Sequence, residues 1–205
     1  MSPLEPLEKI ISEDLAPWRS PLSRAVHRNR AVAFSRFVQL ATVRADGTPA
    51  NRTVVFRGFL ESTNQLMFVS DRRSEKTAQI QQNPNAEACW YFTKTREQFR
   101  LAGQLRLITV ETEPNDWAEA RQRLWQKLSQ SARLQFAWPQ PKASRADSAA
   151  FDSPAPDEHS PPPTFSALCL AVEQVDHLEL RGEPQSRYLY TKAANGQWNT
   201  ATVNP

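Results

Sequence analysis

Nine cations, Arg52, Arg57, Arg72, Arg73, Lys76, Lys94, Arg96, Arg100 and Arg106, share residues 51–106 with five acids, a local charge of +4 in a 205-residue chain whose total is +3. Everything outside that stretch sums to −1. Cations set on strand-like sequence rather than in a tail suit an anionic ligand of limited size, most simply a phosphate ester, with a nucleic-acid track as the competing reading. The groups that do chemistry unaided are missing. The five glycines include no pair spaced for a phosphate-cradling loop, so side chains and a helix start must meet the phosphate. His27, His159 and His177 have no partners at metal-ligand spacing, no metal is expected, and no serine or cysteine lies in a nucleophile motif. Reactivity in such a chain belongs to a bound cofactor.

The elements that must position these residues read as mainly β with flanking helices. Apolar spacing predicts helices over 4–15 and 21–37. Strands follow at 37–43 and 53–59, joined by the turn-forming pair Asp46-Gly47, and then at 66–70. A short helix over 74–82 stops before Pro84, and two strands, the second long, run from Ala86 to Thr112. Apolar residues at 117, 120, 124, 128 and 132 predict an amphipathic helical region over 115–136. Strands resume after residue 165, the last two joined by a turn at Asn195-Gly196. This order of helices, antiparallel strands, an inserted helix and more strands describes a barrel with helices outside it.

Between these blocks, residues 139–164 hold 7 of the 16 prolines, and Phe151 is their only large apolar side chain. Composition favours a flexible, mostly disordered insertion, a lid being the alternative. The length suits one domain over 1–205. No apolar run approaches a membrane span, and the first fifteen residues lack a secretory signal's basic start and apolar middle, so the cytoplasm is the expected compartment. Cys89 and Cys169 lie in apolar strand-like runs and are expected as reduced thiols.

The succession Arg52-Thr53-Val54-Val55-Phe56-Arg57-Gly58-Phe59, Phe68-Val69-Ser70-Asp71 with Ser74 and Lys76, Asn83-Pro84, Arg96 to Arg100 with Gln98, and Arg187-Tyr188-Leu189-Tyr190 before the terminal Val203-Asn204-Pro205 resembles the pyridoxamine 5′-phosphate oxidase group of FMN-binding split barrels. The resemblance spans residues 30–205, is carried by the order of the motifs, and is closest to a cyanobacterial and plant-like branch. It implies an antiparallel six-stranded split β-barrel, a homodimer with FMN in a groove between subunits, and two-electron transfer between a small-molecule substrate and the flavin. It also assigns roles. Arg52 and Lys76 match positions at the FMN phosphate and ribityl chain, Thr53, Val54, Val55 and Arg57 a strand whose backbone meets the flavin ring, Ser70 a hydroxyl near the phosphate, Gln98 a side chain at the ring edge, and Arg187 a basic residue closing the site. Ser74 opens the helix at the phosphate.

The departures bear on substrate. Glu75 stands where the family usually has Arg, which makes Arg72 or Arg73 the replacement charge, and Leu178 replaces a flavin-stacking Trp. The Arg and His that grip the oxidase's substrate give way to Gly182-Glu183-Pro184-Gln185, so pyridoxamine 5′-phosphate is expected to be a poor substrate unless Arg121, Arg123 or Arg133 supplies the grip. Several residues also have plain structural readings. Arg96, Gln98 and Arg100 fit the solvated face of a strand. Arg52 and Arg57, five apart, face opposite sides of an unbroken strand. Trp125 and Trp138 stay open between core and substrate contact. A non-catalytic flavin or polyanion binder is the alternative to an oxidoreductase.

Overall fold

A computed structural model describes residues 15–112 and 115–205. The helix expected over 4–15 lies outside the described residues except for Leu15. The second helix is shorter than expected: α1 (Arg19–Arg28) ends where the Asn29 side chain folds back on the Ala25 carbonyl at 2.8 Å. Asn29 thereby competes for the backbone acceptor that a continuing helix would use.

β1 (Phe37–Val43) and β2 (Pro49–Val55) form the Asp-Gly hairpin, with Gly47 at φ 81° and the Asp46 carboxylate accepting from the Thr48 amide at 2.9 Å. Because the ladder starts directly after this turn, β2 begins four residues earlier than the expected strand. It also stops at Val55. The chain then changes partner: the Phe56 amide still bonds Arg36, whereas the Arg57 amide donates to Met67 on β4 (Leu66–Asp71). β3 (Gly58–Phe59) continues that pairing. This transfer brings the β2 end of the sheet against β4 and curls the sheet into a half-barrel.

α2 (Glu75–Gln82) leads into β5 (Asn85–Phe92) and the long β6 (Glu97–Ile108). Then come α3 (Asn115–Gln126), α4 (Gln130–Leu134), β7 (Phe165–Glu179) and the hairpin β8 (Ser186–Lys192) with β9 (Trp198–Val203). The antiparallel order is β2-β1-β5-β6-β7-β4-β3, with β8 and β9 continuing from β7. The six longer strands of that path form the split-barrel body. β6 and β7 change register between Ala102 and Gly103, where the strands run so close that a Cβ on Gly103 would lie 2.0 Å from the Ala171 carbonyl oxygen.

Alternation on β4 and β7 explains their nearly continuous apolar sequence, since both faces are covered. Phe68, Leu168 and Leu170 point into the barrel with Trp90, Phe92 and Phe99. Met67, Ala167 and Cys169 point outward beneath Trp117, Leu124 and Trp125 of α3. Each fully buried aromatic ring contributes on the order of 2–3 kcal/mol by leaving water. Cys169 is a buried thiol, its pKa pushed up to about 12 by burial, while Cys89 is half-buried. Ser129 divides the expected helical region, accepting from the Ala132 amide as the N-cap of α4.

The proline-rich segment crosses the outside of the barrel as a strap, tied at its return end by side chains of α3. Arg121 donates to the Pro162 and Phe165 carbonyls at 2.8 Å each, and the Trp125 indole donates to Asp157 at 2.8 Å. At its start, Arg73 donates to the Trp138 carbonyl at 2.8 Å. Among the described residues no helix is long and apolar enough to cross a membrane.

Candidate functional site

A cavity of about 650 Å³ opens between β2, β4, α4 and the strap. Arg52, Thr53, Val54, Val55 and Arg57 form one wall, Ser70 and Lys76 one end, and Phe136, Trp138 and Phe151 the side beneath the strap. β2 is the terminal strand of the sheet path, so among the described residues its edge away from β1 is unpaired along this wall. The break at Val55 puts both Arg52 and Arg57 on the cavity, which corrects the opposite-face expectation for an unbroken strand.

The cations beside Ser70 are held by neutral oxygens. Arg52 donates to the Thr42 hydroxyl at 2.6 Å, the Leu40 carbonyl at 3.2 Å and the Gln79 amide oxygen at 2.9 Å. Lys76 Nζ donates to the hydroxyls of Ser70 and Ser74 at 2.9 Å each. Ser74 stands at the N-cap of α2, but its side chain makes no cap bond to the helix amides. Burial lowers the Lys76 pKa from 10.5, and the charge on Arg52 lowers it further. Burial likewise lowers the pKa of Arg52 and Arg57, and the Arg57 Nε–H, fully buried, has no acceptor among the described residues. Concentrated positive charge satisfied by neutral groups favours an arriving anion.

Gln79 was not legible as a participant. Its position three residues after Lys76 puts it on the same helix face, the one signal that could have found it. Arg72 and Arg73 do not supply the charge missing at Glu75. Arg72 is paired with Glu111 at 2.6 Å, and Arg73 is clamped by both Asp71 oxygens while it holds the strap. The cation beside Glu75 is instead Lys142, from the strap. Arg121 and Arg133 are buried on carbonyls and Arg123 pairs with Glu119, so none of the three lines the cavity. Trp125 is core and Trp138 borders the cavity.

Gln98 and Arg187 lie elsewhere. Register places Tyr91, Gln98, Leu178 and Arg187 in one row across β5, β6, β7 and β8. Arg187 is bound by both oxygens of Asp176, at 2.9 and 2.6 Å, and the Asp176 pKa is lowered by those bonds. Arg100 bonds Glu87 at 2.7 Å, the solvated-face reading of that residue, whereas Arg96 sits in a turn at φ 60°.

Register also collects Glu97, His177 and Glu179 within 4.8 Å, a grouping their sequence spacing did not suggest. His177 Nε2 lies 3.1 Å from Glu97, and its buried Nδ1 has no partner. A metal at Nε2 would force a buried, unpaired N–H at Nδ1, so the trio suits a hydrogen-bonded histidine better than a metal centre.

A half-barrel of antiparallel strands with a few helices outside it is the architecture of a split barrel, and sequence comparison agrees. Residues 15–109 match the family model described as "Pyridoxamine 5′-phosphate oxidase, FMN-binding domain". The chain is 34% identical over 196 residues, 93% of its length and 98% of the relative's, to "Pyridoxine/pyridoxamine 5′-phosphate oxidase 2" of Arabidopsis thaliana. It belongs to the pyridoxamine 5′-phosphate oxidase-like FMN-binding split-barrel family. Among solved structures, a pyridoxamine 5′-phosphate oxidase-related, FMN-binding protein from Nostoc punctiforme is 54% identical, with TM-score 0.91 over 94% of this chain and all of that one. PhzG from Burkholderia lata, solved with tetrahydrophenazine-1-carboxylic acid, is 20% identical with TM-score 0.75 over 100% of this chain and 99% of its own, a likeness of fold.

Proposed function

We propose that this chain binds FMN in the cavity beside β2 and acts as an FMN-dependent oxidoreductase on a small molecule. The carrying observation is that Arg52 and Lys76, both partly buried, are hydrogen-bonded only to neutral oxygens in the wall of one cavity. A phosphate dianion fits them and the start of α2, where the Ser74 hydroxyl is turned toward Lys76. The unpaired Arg57 Nε–H along the same wall suits an acceptor on the cofactor, and the free edge of β2 at Thr53, Val54 and Val55 offers it backbone groups.

When bound, the flavin supplies two-electron chemistry. This chain's residues hold the phosphate, orient the ring along β2 and place positive charge from Arg57 beside it. The Tyr91–Gln98–Leu178–Arg187 row is proposed to meet the cofactor of a second copy, making the homodimer the working unit. Pyridoxamine 5′-phosphate is proposed to be a poor substrate, because the tip at Gly182–Gln185 carries Glu183 and none of the candidate arginines of α3 and α4 reaches the cavity.

Purification tests the cofactor: a yellow protein that releases one FMN per chain on denaturation is expected. Arg52→Ala and Lys76→Ala should each weaken FMN binding tenfold or more, because removing one charge-assisted hydrogen bond to phosphate costs about 1.5–3 kcal/mol. Unchanged affinity in both variants would sink the assignment.

A further inference from the structure

The cavity holds more donors than a cofactor phosphate uses, and the surplus lies under the strap. Phe151 carries the Arg145 guanidinium on its face at 4.4 Å and the Trp138 ring at its edge, with centroids 5.8 Å apart. All three residues line the cavity. The Trp138 indole N–H is fully buried without an acceptor among the described residues, a costly state unless a ligand supplies one. Arg145 is exposed and takes part in no ion pair among the described residues, its guanidinium resting on the Phe151 ring. This stretch is fixed at its root by the Arg73 bond to the Trp138 carbonyl.

We propose that Trp138, Phe151 and Arg145 form the substrate subsite, and that it takes a planar aromatic carboxylate. This rests on the reading that the same cavity holds the cofactor. The Trp138 and Phe151 rings, set edge to face, give a planar ring an aromatic wall. One guanidinium and one neutral N–H match the two oxygens of a monoanionic carboxylate, whereas a phosphate dianion calls for the second cation that the other end of the cavity has and this end lacks. The selecting residues thus come from the proline-rich segment and from Trp138 just before it, rather than from the helix arginines.

The test is calorimetric titration with 2-naphthoate, 2-naphthyl phosphate and 2-naphthol, on the protein with and without saturating FMN. Naphthoate should bind at least tenfold tighter than naphthol. Arg145→Ala should remove about tenfold of that affinity and Trp138→Phe, which keeps a ring but no N–H, several-fold, while both variants keep wild-type FMN affinity. Naphthoate binding that is absent or unaffected by Arg145→Ala overturns the proposal, and so does a preference for naphthyl phosphate over naphthoate. Failure to bind FMN overturns the cofactor reading alone, because dependence of naphthoate binding on Arg145 without flavin still decides the subsite.

Discussion

Arg52 and Arg187 are both arginines on strands, each with its guanidinium hydrogen-bonded, yet they are in opposite electrostatic states. Arg52, with Lys76 beside it, is bonded to a hydroxyl, a carbonyl and an amide, so its charge is held in place with no carboxylate bonded to it, Glu75 acting on it only from a distance. Arg187 is bonded to both oxygens of Asp176, so its charge is already answered. Neutral partners orient a cation without neutralising it, and such a site gains the most when an anion arrives. A carboxylate partner orients it and uses up the attraction. Within one chain, the first region is the one proposed to take an anion, and the second is a structural clamp unless another copy supplies its ligand.

Gly103 joins the two regions, and its substitution should have the largest effect. The register shift there divides the β6–β7 ladder into a half that backs β4 and the cavity and a half that carries Gln98 and Leu178. A methyl group on Gly103 overlaps the Ala171 carbonyl, a backbone atom that cannot turn aside. Gly103→Ala should cost about 3 kcal/mol. That lowers the midpoint of thermal unfolding by roughly 6–12 °C for a chain this long. A calorimetric midpoint within a degree of wild type would mean that the two halves are not rigidly coupled.

FMN affinity distinguishes the regions next. Arg52→Ala should weaken it tenfold or more at any protein concentration, whereas Arg187→Ala should weaken it less, and only where the protein is a dimer. Light scattering should give twice the 23.3 kDa chain mass at micromolar concentration. A flavin-loaded monomer would show that the Gln98–Arg187 row plays no part in the cofactor site.

How much of this was legible depended on whether the signal was local. The Asp-Gly hairpin, the strands and the start of α2 follow from neighbouring residues, and the motif order was enough to point to Arg52, Ser70 and Lys76. Partners set by register or by returning chain were not legible. Gln79 reaches Arg52 only because α2 packs beside the β1–β2 hairpin, and Arg73 is diverted to Trp138, 65 residues later. The composition of 139–164 revealed little apolar surface, but could not reveal the donors on α3 and at Arg73 that hold its backbone.

The smallest effect expected is a pH dependence, which reads the partly buried charge of Lys76 directly. Burial, helped by Arg52, lowers the folded-state pKa below 10.5. In the window between that lowered value and the unfolded value, the unfolded chain keeps a proton that the folded protein has released, so raising the pH favours folding. Below the window both states are protonated and the folded state bears the full penalty of a buried ammonium. The flavin-free wild type should therefore gain stability relative to Lys76→Met as pH rises toward 10.5. Bound phosphate reverses the sign where it favours the ammonium enough to raise the folded-state pKa above the unfolded value of 10.5; the flavin-loaded wild type should then lose its advantage over the variant as the pH climbs. Chemical denaturation at a series of alkaline pH values, with and without FMN, measures both slopes. Parallel curves for wild type and variant in the flavin-free protein would mean that Lys76 is compensated after all, and would erase the contrast with Arg187.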